Sequence, residues 1–299
     1  MKRFTGLFAL VMMFGVAEAQ QVRNNAPQTP LEPLADEFTS ESSLPNWQKL
    51  HGDKIKNFSV SNGQLKIETF ATGWYGDYQG PFVFKTVAGD FDVRARIKVS
   101  GQNDTLPQSA WSLAGLMVRQ ATNGDWQPRQ ENWLFLTTGI AEPKGVAMFE
   151  AKTTNNSISN LKLRPAKAGW VELRIVRLQA SFILMYRYNA TESWTVLERF
   201  YRPLLPQELQ VGINAYSGWN EIPQSVKADP KIFNSSLLKD VTADMIVETD
   251  YIRFTRPAVN MDKLRALRNA GFNAPYYTAG NLLTDYSVSN EEVIAILGN

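Results

Sequence analysis

A repeating alternation of apolar and polar residues runs through most of this chain and limits the folds that it can adopt. The clearest case is the segment from Phe91 to Val99, in which every second residue is apolar and each residue between carries a charge. Residues 64–70 alternate in the same way. Side chains of a β-strand point alternately to two faces, so this period of two predicts strands with one buried face. Further strands are predicted over residues 114–119, 133–138, 146–152, 170–177, 182–188, 194–200, 209–216 and 250–256.

Turn-forming pairs separate these strands, among them Asn62-Gly63, Gly89-Asp90 and Ala168-Gly169. Many short strands joined by turns, with no helical periodicity between them, are typical of an antiparallel sandwich or barrel. Residues 36–257 are therefore predicted as one all-β domain. The 299 residues include no cysteine, which excludes disulfides and cysteine-based metal sites, so stability has to come from burial.

The first 35 residues have a different character. Lys2 and Arg3 precede a short apolar stretch, and the small-x-small sequence 17–19 follows it, as in a cleaved signal peptide. Residues 1–19 are predicted as that signal, and residues 20–35, with three prolines, as a poorly ordered leader. The apolar stretch is too short to cross a bilayer comfortably, although an uncleaved anchor helix is the alternative. We expect a periplasmic or secreted protein without a membrane span.

Residues 258–299 are predicted as a short helical tail. Asn260 can cap a helix over residues 261–270, with Gly271 just beyond its end, and Ser289 and Glu292 form a capping box that opens a second helix. Two short amphipathic helices cannot form a core alone, so we expect the tail to pack against the sandwich. The alternative is that the tail docks a protein partner.

Several short segments occur in a characteristic order along the chain. They are GDFDV (89–93), AGLMVR (114–119), GWVELR (169–174), VGINA (211–215) and DYIRF (250–254). In this order they resemble the concanavalin A-like (laminin-G-like) jelly-roll domains of the 1349 family of unknown function. They are also similar to the sandwich at the C-terminus of some bacterial β-xylosidases. The resemblance covers roughly residues 36–256, and AGLMVR is its most specific part.

The resemblance implies two antiparallel sheets, one of them curved, and association with carbohydrate without an established activity. It also implies a structural calcium between the first and last strands, where Asp36 and Asp250 stand in this sequence. The alternative for these two residues is a pair of surface acids, since no loop shows dense ligand spacing. Residues 219–247 and the tail are additions that can reshape or cover the binding face.

Alternation also predicts which side chains share the outer face of the sheet. Val118 and Ile213 should enter the core, which leaves Arg119, Asn214 and Tyr216 on the opposite side. Gly115 and Gly212 on that side would leave room for a ligand.

Aromatic clusters in nearby loops complete the predicted site. Flat rings pack against the C–H surface of a sugar while amides, carboxylates and arginine bind its hydroxyls, although tryptophan and tyrosine also fill sandwich cores. The remaining predicted ligand-binding residues are Trp74, Tyr75, Asp77, Tyr78, Trp126, Glu131, Trp133, Trp219 and Asn220.

The sequence carries no recognisable catalytic motif. Glycoside hydrolysis needs two carboxylates across a cleft, and Glu131, Glu150 and Asp77 could be brought together only by folding. The single histidine, His51, has no Gly-x-Ser-x-Gly partner motif. The leading hypothesis is therefore a non-catalytic protein that binds a polysaccharide or oligosaccharide. The alternatives are a glycoside hydrolase or polysaccharide lyase, and a structural or interaction module.

Charge composition argues against one further class of partner. Lysine and arginine number 31 and aspartate and glutamate 29, and no basic tract interrupts the sequence. Nucleic acid binding requires a clustered positive surface, so we expect no nucleic acid partner.

Overall fold

A computed structural model describes residues 29–122, 126–269 and 279–298. Within them, fourteen strands form two antiparallel sheets of seven, which confirms the all-β sandwich. The first sheet has the order β1-β4-β13-β6-β7-β8-β9. Its strands are β1 (Gln48–Leu50), β4 (Phe82–Ala88), β6 (Ser112–Arg119), β7 (Trp133–Ile140), β8 (Ala147–Asn155), β9 (Ile158–Pro165) and β13 (Glu208–Tyr216).

The second sheet has the order β12-β11-β10-β5-β14-β3-β2. It is the more charged of the two on its outer face, where Arg96 pairs with Asp250 and Lys98 with Glu248. Its strands are β2 (Ile55–Ser61), β3 (Gln64–Thr69), β5 (Phe91–Gly101), β10 (Val171–Leu178), β11 (Ser181–Arg187), β12 (Thr195–Tyr201) and β14 (Met245–Thr255).

The hydrophobic core lies between the sheets and is built by the predicted alternation. Phe91, Val93 and Ile97 of β5 are fully buried in it, as are Val118 of β6 and Val211 of β13. Since β6 and β13 are neighbours in the first sheet, the residues that alternate with these point together to its outer face. The predicted facing of these strands is confirmed.

Four strands were not predicted from the sequence, namely β1, β2, β4 and β9. In β4 consecutive residues are buried, because Val83 enters the core while Phe82 and Phe84 pack on the outer face, so the period of two disappears. Strand β9 is an edge with little burial. Residues 219–247, expected only as a long segment, contain the short helices α1 (Gln224–Lys227) and α2 (Pro230–Ser235), and their last three residues belong to β14.

Structure begins earlier than composition predicted. Leu31 is buried in the core, and a 3-10 helix spans Glu32–Leu34. The backbone of Asp36 then exchanges two hydrogen bonds with Ile252 of β14. Leu31 thus joins the core from within residues 20–35, which composition predicted as a poorly ordered leader. The predicted signal, residues 1–19, lies outside the described residues, and in the described part no helix is long and apolar enough to cross a membrane.

The C-terminal helices α3 (Met261–Asn269), α4 (Ala279–Leu282) and α5 (Asn290–Leu297) pack on the outer face of the second sheet. The predicted caps are present, since Asn260 accepts from the backbone of Lys263 and Ser289 forms its capping box; Gly271 lies outside the described residues. Buried apolar residues of the tail and sheet form one cluster: Val176, Ile183, Met185, Trp194, Val196, Leu264, Leu282, Leu283, Val288, Val293, Ile296 and Leu297. The buried apolar residues of the described part of the tail therefore pack against the sheet, as the leading expectation for the tail states.

Candidate functional site

A layer of aromatic side chains covers the outer face of the first sheet. Trp133 and Phe135 of β7 stack with ring centroids 5.2 Å apart, and Trp74 meets Trp133 edge-on at 5.7 Å. Trp74 arrives from the loop between β3 and β4 and donates through its indole nitrogen to the carbonyl of Pro81. These rings form a second apolar layer outside the sheet, and the loop that carries Trp74 packs on it.

A pocket of about 290 Å³ opens above this layer, and we call it the Trp74 pocket. Its walls are mainly apolar, with a few polar groups, as in most small-molecule sites. The lining residues are Gly73, Trp74, Tyr75, Trp111, Glu142, Lys152, Leu161, Tyr216, Trp219 and Asn220. Five predicted ligand-binding residues therefore meet in one place: Trp74, Tyr75, Tyr216, Trp219 and Asn220.

Trp219 forms one wall and is held from behind. Its ring centroid lies 5.4 Å from that of Tyr78 and 5.5 Å from that of Phe233 in α2. The ring also contacts Gly73, and because glycine has no side chain there is space for this contact. The side chain remains half-buried, is held in position by these neighbours and lines the pocket. A wall that is already ordered reduces the entropy that binding costs.

Tyr75 forms part of the opposite rim and is the most exposed aromatic residue of the pocket, at 49%. Its backbone exchanges two hydrogen bonds with Tyr78 in a tight turn. Within that turn Gly76 has a positive φ and donates to the hydroxyl of Ser159 on β9. The turn thus fastens Tyr75 beside the edge strand while leaving its ring in solvent.

The polar floor consists of Lys152, Glu150 and Tyr216. The Nζ of Lys152 lies 2.7 Å from one carboxylate oxygen of Glu150 and donates to the carbonyl of Trp74 at 2.9 Å. The hydroxyl of Tyr216 donates to the other carboxylate oxygen. Burial, reinforced by the charge of Glu150, raises the pKa of Tyr216 well above its usual value, so the phenol stays neutral and remains a donor.

Arg119 and Glu131 form a separate buried network outside the pocket. The Arg119 guanidinium donates to both carboxylate oxygens of Glu131, at 2.6 and 2.9 Å, and each side chain is at most 2% exposed. Gln79 donates to Glu131 and is bonded in turn to His51, whose pKa is lowered by burial. These residues tie loops to the sheet, and neither Arg119 nor Glu131 lines the pocket.

The other predicted residues also lie outside the pocket lining. Asp77 accepts from the backbone of Arg129, and Tyr78 donates to the carbonyl of Lys227 at 2.6 Å. Trp133 and Asn214 are completely buried, and Trp126 is half-buried. Alternation located Asn214 on the outer face correctly, but the aromatic layer covers that part of the face.

Gly115 and Gly212 do not create the ligand space that was expected. A Cβ on Gly115 would overlap the backbone of Leu136 and Thr137, and one on Gly212 would overlap the backbone of Val83 and Phe84. These glycines allow neighbouring strands to approach, and the space beside them is already occupied by main chain.

Asp36 and Asp250 both have protein partners. Asp36 accepts from the backbone N–H of Phe38 at 2.9 Å and from the indole of Trp47 at 2.8 Å. Asp250 pairs with Arg96 at 2.9 Å. In the described ranges no three acidic or histidine side chains gather where a metal ion could bind. Calcium here would have to compete with these donors.

Lys152, Trp111, Leu161 and Glu142 line the pocket but escaped prediction. Lys152 and Glu150 had a usable signal, because they alternate along β8 with Phe149 and Ala151, which enter the core. That alternation assigns both charged side chains to the outer face. Trp111 and Glu142 lie in connections, where no period indicates which way a side chain points.

Solved structures of other proteins share this fold. No family model matches the sequence, and no curated protein matches it. A solved protein of unknown function from Saccharomyces cerevisiae aligns with a TM-score of 0.52 and 17% identity, over 72% of this chain and 98% of that one.

Two bacterial enzymes match over part of their length. The GH43 protein BlXynB of Bacillus licheniformis aligns with a TM-score of 0.52 and 14% identity, over 74% of this chain and 39% of that one. Xylan β-1,4-xylosidase of Bacillus halodurans C-125 aligns with a TM-score of 0.51 and 14% identity, over 78% and 41%. The chain thus spans about two fifths of these enzymes. The shared feature is the concanavalin A-like β-sandwich, and identity at this level defines the fold alone.

Proposed function

We propose that this chain is an exported carbohydrate-binding protein that holds a glycan in the Trp74 pocket and does not cleave it. The observation that carries the proposal is the convergence of Tyr75, Trp111 and Trp219 on a pocket whose polar groups include Lys152 and Asn220. A sugar ring presents C–H groups on its faces and hydroxyls at its edges. The rings supply the apolar contact and the ammonium and amide supply hydrogen bonds, which matches that distribution.

The carboxylates favour binding over hydrolysis. Glu142 is the one carboxylate among the described residues that line the pocket, and it already accepts from Asn220 at 2.6 Å. Glu150 lies directly beneath but is completely buried and engaged by Lys152 and Tyr216. Hydrolysis of a glycosidic bond generally needs an acid and a second carboxylate on opposite sides of the scissile bond.

Binding is tested on a panel of plant, algal and microbial oligosaccharides. Wild type should retain at least one glycan, and Trp219→Ala should weaken that binding by at least about tenfold, the ratio that corresponds to 1.4 kcal/mol. Trp170→Ala is the matched control, because Trp170 is a half-buried tryptophan on the second sheet, beneath the guanidinium of Arg96. No glycan retained, or equal losses in both variants, would contradict the proposal.

Catalysis is tested on any glycan that binds. Prolonged incubation should release no new reducing ends. Release that disappears in Glu142→Gln would show that the pocket belongs to a hydrolase instead.

Export is supported by the sequence alone, through the basic residues, apolar stretch and cleavage pattern of residues 1–19. Expression in a bacterium with secretion, followed by mass spectrometry, should give a mature chain that begins at Gln20. Retention of residues 1–19 in a membrane fraction would favour the anchor helix.

A further inference from the structure

The charges beneath the Trp74 pocket are arranged so that its one lining cation is already neutralised. The Nζ of Lys152 is 2.7 Å from a Glu150 oxygen, and both side chains are at most 4% exposed. The other oxygen of Glu150 accepts from Tyr216. A buried carboxylate that pairs with an ammonium at one oxygen and accepts a hydrogen bond at the other is held in position, because moving either partner would leave an unpaired group in a dry environment.

Nothing else that lines the described pocket offers a positive charge. Glu142 is the remaining ionisable carboxylate at the rim, and its neighbour Asn220 is neutral. One ammonium therefore faces two carboxylates, and the pocket as a whole carries net negative charge. An anionic ligand would enter against that charge, in a place where surrounding rings reduce screening by water.

Lys152 nevertheless has an N–H donor available for a ligand. An ammonium has three N–H donors; the Trp74 carbonyl accepts from one of them, and the Glu150 carboxylate is paired with the ammonium at 2.7 Å. The rings of Tyr75 and Phe135 lie 5.6 and 5.2 Å from the Nζ and hold it in position. The third donor suits a hydroxyl or ring oxygen, which brings no charge of its own.

From this arrangement we infer that the pocket selects uncharged glycans over glycans bearing carboxylate or sulfate groups, and that Glu150 is the residue that sets this preference. The inference rests on the proposed function and names its ligand class. Glu150 acts through Lys152: it cancels the charge that would otherwise attract an acidic sugar. A free lysine at the same position would favour the opposite class.

The test uses oligosaccharides of glucose, mannose and galactose, each beside a counterpart oxidised to the uronate at C6. Wild type should bind a neutral member at least about tenfold more tightly than its uronate. Glu150→Gln leaves Lys152 positive and uncompensated, so the ratio should fall by about tenfold or reverse. Glu248→Gln is the matched control, since Glu248 pairs with Lys98 on the outer face of the second sheet, away from the pocket, and the ratio should not change.

A double variant separates charge from damage to the fold. Glu150→Gln combined with Lys152→Gln removes both charges, so the uronate binding gained by the single variant should be lost again. Thermal unfolding of each variant shows whether it is folded, and the wild-type ratio decides the question even if the single variant is not.

The outcomes distinguish the two proposals. Binding of neither class by wild type overturns the proposed function and this inference with it. Equal or tighter binding of uronates by wild type overturns the inference alone, as does a ratio that stays unchanged in folded Glu150→Gln.

Discussion

Gly73 and Trp219 fit together so closely that a Cβ on Gly73 would lie only 2.4 Å from the nearest ring carbon of Trp219. The contact joins the loop after β3 to the segment after β13, and it determines how one wall of the Trp74 pocket stands. Gly73 has no positive φ, so a side chain is excluded here by space and not by backbone conformation.

Gly73→Ala should therefore weaken glycan binding by at least about tenfold while leaving the sandwich folded, because the ring has to shift to admit the methyl group. Isothermal titration with a panel-selected glycan measures the affinity, and circular dichroism checks the fold. Gly52→Ala is the control, since its added Cβ would meet only the flexible side chain of Lys49. Unchanged affinity in Gly73→Ala would show that Trp219 does not form the binding wall.

The buried pair of Arg119 and Glu131 makes a prediction about stability. Glu131→Gln keeps the shape but leaves the guanidinium without its carboxylate, and breaking a buried pair in this way costs about 3–5 kcal/mol. Urea unfolding should show that loss. Replacing both residues, as Arg119→Met with Glu131→Leu, should cost less than the two single changes together, since no buried charge remains. Additive losses would contradict a coupled pair.

The fold was predictable because alternation is a local signal repeated along many strands. Phe91 to Val99 shows it without interruption, and both sheets and their inner faces follow from such segments. The signal failed for β4, where Phe82 and Phe84 pack outside while Val83 packs inside. A strand buried on both faces has no alternation to read.

The site was only partly predictable, for a related reason. Trp74 and Trp219 line the pocket, but composition could not separate them from Trp133, which stacks beneath the pocket and is completely buried. Alternation assigned Arg119 to the outer face, but it could not show that Arg119 pairs there with Glu131 from a loop. Which outer-face groups stay open depends on loops that cover the sheet, and loop paths carry no periodic signal.

Lys54 makes a prediction about pH. Its ammonium is buried against the carbonyls of Gln79 and Phe233, and burial lowers its pKa to about 8. The unfolded chain has the ordinary value near 10.4, so between about pH 8 and 10.4 the unfolded state binds more protons and stability rises with pH. The stability that uncharged Lys54 contributes to the folded state is lost as the pH falls through about 8.

Lys54→Met removes this titration. The free energy of unfolding of wild type relative to the variant should therefore increase by roughly 3 kcal/mol at most from pH 7.5 to 10.5, at about 1.4 kcal/mol for each unit of pKa. Lys239→Met, at an exposed lysine, serves as the control and should show no such slope. A difference between wild type and Lys54→Met that stays flat with pH would contradict the prediction.

The C-terminal tail and the Trp74 pocket lie on outer faces of different sheets, which makes their effects separable. Val293 of α5 is completely buried in the cluster that joins the tail to the second sheet. Val293→Asp would place an unpaired carboxylate there, so α5 should detach and the apolar face containing Met185 should become exposed. Thermal unfolding should begin at a lower temperature, with increased binding of a hydrophobic dye and faster proteolysis near the C-terminus.

Glu291→Asp, an exposed change in the same helix, is the control and should cause none of these three changes. Glycan affinity measured below the unfolding temperature should match wild type in both variants, and a loss of affinity in Val293→Asp would show that the tail supports the pocket through the core.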